Sequence, residues 1–121
     1  MQTKYRIIRA FADRTEIEER EVDLPERPTY RQILALLSPI FDEQRAKSHF
    51  EHVTVLGFEN QRTDMFVDEE GQLYKLPFNP DATAIYHRAS VSRGEQHIGG
   101  IIEGAPVIYG TAVYFYRQIW F

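Results

Sequence analysis

The chain lacks cysteine, and it lacks any long run of apolar residues. The absence of thiols excludes cysteine nucleophiles, thiolate zinc centres and iron–sulfur clusters. No stretch approaches the roughly 20 consecutive apolar residues that a membrane-spanning helix requires. Lys4, Arg6 and Arg9 interrupt the apolar residues near the start of the chain, which is not the pattern of a signal peptide. These absences predict a cytoplasmic protein with no membrane association.

The sequence also lacks a strong charge of one sign and the common nucleotide-binding and nucleophile motifs. Its net charge of −4 repels phosphate weakly, so direct binding to nucleic acid is not expected. Its glycines do not have the spacing of a phosphate-binding loop or a dinucleotide fingerprint, and its serines do not lie in a nucleophile elbow. We therefore assign no catalytic residue, no metal site and no cofactor.

The residues that are present are typical of one small globular domain. The length of 121 residues falls inside the usual range of about 100–200 for a domain. Apolar residues make up 43% of the chain and aromatic residues 13%, which is enough for one core without disulfide or metal support. We expect a single domain over residues 1–121.

Apolar residues between turn signals predict a sheet. The predicted strands cover residues 5–11, 17–24, 53–58, 63–67, 73–76, 107–109 and 111–116. The first two are expected to form a hairpin. Charges on both faces of the second strand are typical of an edge strand, because they discourage pairing with other chains.

Helices are predicted from capping signals followed by apolar residues at helical intervals. Thr29 and Gln32 have the spacing of a capping box, and Asn79 before Pro80 is typical of a helix start. Pro39 predicts a break in the first helix. The predicted helical segments cover residues 30–37, 42–49 and 80–88.

These elements predict an α+β fold. We expect a mostly antiparallel sheet of about five strands with two helices on one face. The order of a hairpin, a helix and then further strands makes the first half β-grasp-like.

The last strand is unusual because it is apolar on both faces. One interpretation is a central strand that is covered on both sides. The other is that the aromatic side chains protrude as a surface for a protein partner or a second copy, since Trp and Tyr are enriched at binding hot spots. The residues of this predicted surface are Tyr114, Tyr116, Trp120 and Phe121.

The second strand offers a further candidate partner surface. Glu18, Glu19 and Glu21 belong to a row of acidic residues that is interspersed with arginines. Such a row is a candidate contact for a protein partner and a weak imitation of a phosphate backbone. The alternative is a solvated edge whose charges are protective.

The segment over residues 89–105 contains four glycines and no clear periodicity, which is typical of a loop that contacts a ligand. Its polar side chains and backbone N–H groups are suited to an anionic ligand. The candidate ligand-binding residues are Arg93, His97, Gly99, Gly100 and Tyr109.

Two other clusters of titratable residues are interpreted as solvated. His49 and His52 lie three residues apart near a strand start, where this spacing places side chains on opposite faces. A metal site is therefore not expected there. The acidic residues Asp64, Asp68, Glu69 and Glu70 lack the ligand pattern of a calcium loop, and they are interpreted as an exposed turn.

Four segments of the second half carry a resemblance to a known family. They are Met65–Leu73 with its Val-Asp-Glu-Glu-Gly turn, Leu76–Pro80 with its Leu-Pro-Phe-Asn step, Ala82–Tyr86 and Ile108–Val113. Together they resemble a family of small uncharacterised domains that are common in bacteriophages and mobile elements. The resemblance implies an accessory gene of a phage or plasmid acting in the host cytoplasm, including a role in blocking host defence. It implies no catalytic residue.

Three functions are compatible with these observations. The first is a non-enzymatic protein that binds and modulates a host or phage protein. The second is a small-molecule binder, such as a sponge for a nucleotide signal, that uses the loop over residues 89–105. The third is an enzyme, which would need a deep pocket containing at least two of His87, His97, Asp64 and Glu103.

Overall fold

The structure is a computed structural model that describes residues 1–57, 60–92 and 107–121. Its elements in chain order are β1 (Gln2–Ala10), β2 (Thr15–Asp23), α1 (Tyr30–Asp42), β3 (Phe50–Leu56), β4 (Arg62–Asp68), α2 (Pro80–Ser92) and β5 (Ala112–Phe115). The predicted α+β class is confirmed: five antiparallel strands form one open sheet, accompanied by two helices.

The strands are arranged in the order β2-β1-β5-β4-β3, and every neighbouring pair is antiparallel. The first half has the expected order of a hairpin, a helix and further strands. The last strand inserts between β1 and β4, with Ile7 opposite Val113 and Phe66 opposite the same valine. The interpretation of β5 as a central strand with two covered faces is therefore confirmed.

The two helices pack against opposite faces of the sheet, which corrects the expectation that both would lie on one face. The face under α1 contributes Ile7 and Phe66 to a core with Leu37 and Phe41. The face under α2 contributes Ile8 and Met65 to a core with Ala82 and Ala89. Successive strand residues alternate in direction, so each central strand supplies apolar side chains to both cores. Because both faces of the sheet are apolar, each face needs a helix to cover it.

Helix α1 extends past its predicted end at Leu37. The capping box is present, since Thr29 Oγ1 accepts the Gln32 N–H at 3.2 Å and Gln32 Oε1 accepts the Thr29 N–H at 2.8 Å. Pro39 lies inside the helix and is exposed, while Ile40 and Phe41 are buried. The burial of those two side chains offsets the backbone hydrogen bond that proline cannot donate.

Three short predicted elements are absent from the described residues, one of which, the expected strand over residues 107–109, is reduced to an isolated bridge between Tyr109 and Phe78. The expected helical piece over residues 42–49 consists of turns and bends that lead into β3, which begins at Phe50. The expected strand over residues 73–76 is also a turn, in which the Leu76 N–H donates to the Gly71 carbonyl at 2.9 Å. A side chain at Gly71 would come within 2.5 Å of the Tyr109 carbonyl, so this close approach requires glycine.

Asn79 joins α2 to the centre of the sheet. Its side-chain oxygen accepts the Ala82 N–H at 3.0 Å, which is the predicted helix cap. Its amide nitrogen donates to the Ile8 carbonyl at 3.0 Å and the Gly110 carbonyl at 2.9 Å. The side chain is fully buried, so these bonds fix the start of α2 over the point where β5 joins β1.

Candidate partner-binding surface

The five residues after Tyr116 form a C-terminal segment, residues 117–121, that is held against the sheet by a buried carboxylate. Asp64 accepts the Ile119 N–H at 2.7 Å and the Trp120 N–H at 2.9 Å through one oxygen. Its other oxygen lies 2.6 Å from His52 Nε2. Asp64 is fully buried, and Asp68 is buried in an ion pair with Arg45, so the expectation of solvated acidic residues is wrong for both. The Asp64 carboxylate is retained because three donors replace its water.

His52 is likewise part of this anchor and not a solvated residue. Its ring stacks on the indole of Trp120 with centroids 5.1 Å apart and an angle of 12° between the planes. The same indole meets Phe66 edge-on at 5.9 Å. These contacts place Trp120 beside the core on the α1 side of the sheet, half-buried.

Arg117 ties the C-terminal segment to the loop between β2 and α1. Its guanidinium donates to the carbonyls of Pro25 and Glu26, each at 2.9 Å, and to the Thr3 hydroxyl at 3.0 Å. A planar guanidinium presents several donors in a fixed geometry, which suits several acceptors at once. The segment is therefore held at both of its ends.

The anchored segment presents an exposed group of side chains that we call the aromatic patch. Its members are Arg27, Tyr30, Leu34, Trp120 and Phe121. The Arg27 guanidinium lies 4.8 Å from the centre of the Phe121 ring, and the Tyr30 ring meets Trp120 edge-on at 6.1 Å. Tyr30 is 61% exposed and Phe121 60% exposed. Large side chains of these types, held in place yet open to solvent, are characteristic of binding hot spots.

A recess of about 400 Å³ adjoins the aromatic patch between α1 and the start of β3. The α1 recess, as we call it, is lined by Tyr30, Leu34, Ser38, Ser48, His49, Phe50 and Glu69. Its lining combines three apolar or aromatic side chains with four polar ones, so it offers a partner both apolar contacts and hydrogen-bonding groups.

Glu69, which lines the α1 recess, carries a negative charge that is not neutralised within the described residues; Glu51 lies nearby but on the α2 face of β3, with Val53 and Val55. Neither Glu51 nor Glu69 forms an ion pair within the described ranges, whereas Glu70 lies 3.8 Å from Arg45. Burial, and then the charge of Glu69, raise the pKa of the Glu51 carboxyl. A cation placed between these two carboxylates would stabilise both.

The acidic row of β2 is largely neutralised in the structure. Glu18 binds Arg20 at 2.6 Å and Arg9 at 2.7 Å, and hydrogen bonds from these two guanidinium groups lower the pKa of its carboxyl to about 2. Glu19 accepts from Tyr116 and Arg6, which lowers its pKa as well. Glu21 has no ion pair among the described residues. The paired charges leave little field for imitating nucleic acid.

The structure separates the predicted partner residues into two groups. Tyr114 is buried on the α2 side, where its hydroxyl donates to the Leu56 carbonyl at 3.1 Å. Tyr116 lies on the same side with Glu19 and accepts from Arg6 at 2.7 Å. Trp120 and Phe121 lie on the α1 side, in the aromatic patch. Alternation along an unbroken strand would place Trp120 on the face of Tyr114, but the chain bends after Phe115 and turns the indole to the other side.

Most of the predicted ligand-binding residues lie outside the described residues. These are Arg93, His97, Gly99 and Gly100. Glu103, a residue of the enzyme hypothesis, also lies outside the described residues. Tyr109 is described: it forms an isolated bridge with Phe78, and the two rings meet edge-on at 6.2 Å. The binding of a nucleotide signal stays a prediction.

A second recess, of about 360 Å³, lies between the end of β1 and the turn after α1 and involves none of the predicted site residues. Its charged lining residues, Arg9 and Glu43, are 3.2 Å apart and so bind each other. Over the described ranges no three His, Asp or Glu side chains are arranged to hold a metal ion. Within those ranges no helix is long and apolar enough to cross a membrane.

No family model, curated protein or solved structure matches this chain. The resemblance of residues 65–113 to small domains of phages and mobile elements therefore stays an expectation. The candidate site depends on the geometry of this chain alone.

Sequence reasoning found Trp120 and Phe121 but missed Arg27, Tyr30 and Leu34. A signal for the last two was present, because Tyr30 and Leu34 are spaced to share a helix face. The helical spacing alone does not distinguish these two from the side chains that the structure buries, which are Ile33, Leu37, Ile40 and Phe41. The surplus of apolar residues around α1 was the available sign that part of the helix faces solvent or a partner.

Proposed function

We propose that the protein is a non-enzymatic binding protein that recognises a segment of a protein partner through the aromatic patch and the α1 recess. The observation that carries the proposal is the pair of well-exposed aromatic rings, Tyr30 and Phe121, held beside an indole and a recess. Exposed aromatic groups that are already ordered lose little conformational entropy on binding. The accessory role in a phage or mobile element, including interference with host defence, is part of this proposal.

The chemistry of the surface specifies the partner segment. The α1 recess offers apolar contacts from Tyr30, Leu34 and Phe50, and the carboxylate of Glu69 favours a lysine or arginine beside them. Arg27, at the other end of the aromatic patch, favours an acidic or aromatic neighbour. The proposed ligand is therefore an apolar anchor residue next to a basic residue, in a host or phage protein.

Point substitutions test this surface better than removal of the C-terminal segment. Ile119 is fully buried and Asp64 depends on the segment for two hydrogen bonds. Truncation after Tyr116 would therefore unfold the region as well as remove the patch. Tyr30→Ala and Phe121→Ala change exposed side chains only, and the equally exposed Leu73 supplies a control, Leu73→Ala, away from the patch.

The experiment is affinity capture from a bacterial lysate, with bound proteins identified by mass spectrometry and their affinities then measured with purified material. The Tyr30→Ala, Phe121→Ala double variant is expected to weaken binding by about 30-fold or more, since hot-spot truncations cost about 2 kcal/mol or more. Leu73→Ala should bind as the unmodified protein does, and Glu69→Lys should weaken binding of a basic segment. Capture of the same proteins by the double variant, or of nothing specific by the unmodified chain, would contradict the proposal.

A further inference from the structure

The two outer strands of the sheet differ in how their edges are protected. Strand β2 carries Glu16, Glu18, Glu19, Arg20, Glu21 and Asp23 among its nine residues. Strand β3 contains only Glu51 and His52 as ionisable residues, and its second half is Val-Thr-Val-Leu. Charged side chains are the common device that prevents an edge strand from pairing with another chain. The β2 edge of this sheet therefore carries protective charges, and the β3 edge largely lacks them.

The backbone of β3 exposes hydrogen-bonding groups at its outer edge. The Gly57 N–H donates to the Gln61 carbonyl at 2.6 Å, and the Glu69 N–H donates to the His49 carbonyl at 2.8 Å. These bonds show which backbone groups of β3 face β4. The N–H and C=O groups of odd-numbered residues bond to β4, and those of even-numbered residues point away from it. Phe50, His52 and Thr54 therefore present N–H and C=O groups outward, whereas the carbonyl of Leu56 accepts from the side chains of Arg88 and Tyr114. Over the described ranges no backbone group pairs with these outward groups.

A second copy of β2 cannot pair with the first without opposing like charges. When two copies of a strand pair antiparallel about a two-fold axis, donors meet acceptors only if the axis passes through a residue. Centres at Glu18, Glu19 and Glu21 place a glutamate opposite its own copy, and a centre at Arg20 does the same with arginine. A centre at residue 17 places the glutamates at 16 and 18 opposite each other. Directly opposed like charges destabilise a strand pair.

The two central registers of β3, centred at Val53 and Thr54, contain no such conflict. A centre at Val53 pairs that valine with its copy, and Phe50 with Leu56. A centre at Thr54 pairs that threonine with its copy, Val53 with Val55, and Glu51 with a glycine. Pairs of β-branched or threonine side chains are among the favourable cross-strand contacts. The edge is therefore self-complementary in both shape and charge.

We propose that two copies of this chain associate through antiparallel pairing of their β3 strands, which continues the sheet from one copy into the other. The occupant of the β3 edge is a second copy because the strand opposes no like charges to itself in the central registers. An interface of one strand pair with its flanking side chains is small, so we expect a dissociation constant of about 10 μM.

The test is sedimentation equilibrium of the unmodified chain and two edge variants. Across a concentration range that spans the expected constant, the mass should rise from the 14.2 kDa of one chain toward twice that value. Thr54→Pro removes an outward N–H without removing a bond to β4, and it should weaken dimerisation at least tenfold. Thr54→Lys places a charge at the same edge and should act in the same direction, which keeps the test valid if the proline variant folds poorly.

Glu21→Pro is the matched control on the opposite edge. The Phe11 N–H donates to the Arg14 carbonyl at 2.7 Å, so even-numbered residues of β2 bond to β1. The backbone groups of odd-numbered residues of β2, including Glu21, therefore point outward. Glu21→Pro therefore removes an equivalent outward N–H from β2 and should leave the dimer intact. A mass that remains at one chain at every concentration overturns the proposal. A dimer that resists both Thr54 substitutions, or that Glu21→Pro weakens equally, overturns it as well.

Discussion

Glu18 is a residue whose ionisation is linked to folding. Hydrogen bonds from Arg20 and Arg9 lower the pKa of its carboxyl from 4.5 to about 2. A carboxyl whose pKa is lower in the folded chain adds stability above its unfolded pKa. That contribution is lost as the pH falls from about 4.5 through about 2. The arginines stay charged throughout this range.

The pH dependence of Glu18→Gln tests this linkage. The amide imitates the protonated carboxyl, so the variant should be less stable than the unmodified chain at neutral pH. The difference in unfolding free energy should shrink as the pH falls toward about 2, where Glu18 itself becomes protonated. Urea denaturation at several pH values measures it. Glu21→Gln is the control, because Glu21 has no ion pair among the described residues; a pH-independent gap for Glu18→Gln would contradict the linkage.

Single residues also show why the candidate site was only partly predictable. Trp120 and Phe121 were identified because aromatic residues at the end of an apolar strand are visible in the sequence. Asp64 and His52 were taken for solvated residues, because a buried carboxylate depends on donors 55 and 56 residues away. No local pattern encodes such a partner. Glu69 lines the recess only because α1 packs against the start of β3, and that contact is not visible in the local sequence.

At the scale of elements, capping and alternation were sufficient for most of the sheet and both helices, because those signals are local. The faces on which the helices lie were not predictable from such signals. Strand β4 is buried along almost its whole length, as β5 is, and such strands do not show which face each helix covers. The end of α1 was placed too early because the burial of Ile40 and Phe41 outweighs the local effect of Pro39.

Asn79 gives the element-scale prediction, because it both caps α2 and fixes that helix to β1 and β5. Asn79→Ala leaves the carbonyls of Ile8 and Gly110 without their buried side-chain donor. We expect a loss of about 3 kcal/mol of unfolding free energy. Thr29→Ala removes an exposed cap and should cost about 1 kcal/mol. Urea denaturation compares the two.

The comparison separates two roles of the asparagine. Asn79→Asp keeps an oxygen that accepts the Ala82 N–H but directs a second oxygen at two carbonyls. It should therefore be at least as destabilised as the alanine variant. Equal losses for Asn79→Ala and Thr29→Ala would show that the residue acts as an ordinary cap only.

For the whole molecule, β5 is the element that joins two otherwise separate hairpins. β1 and β2 pair with each other, as do β3 and β4, and β5 alone bridges the two units within the sheet. Val113 lies at this junction, fully buried between Ile7 and Phe66. Because neither hairpin has a covered core without the other, the chain should unfold in one cooperative step.

Val113→Ala tests this cooperativity. The lost side-chain volume should reduce the unfolding free energy by about 2 kcal/mol and should do so for both hairpins together. Trp120 fluorescence reports on the β3–β4 side through its stack on His52, whereas far-ultraviolet circular dichroism reports on all elements. The two probes should give one midpoint before the substitution and one lower midpoint after it. Separate midpoints, or a shift in one probe only, would show that the hairpins are stable without β5. In that case the C-terminal segment would not be needed for folding, although Arg117 and Asp64 tie it to both halves of the sheet.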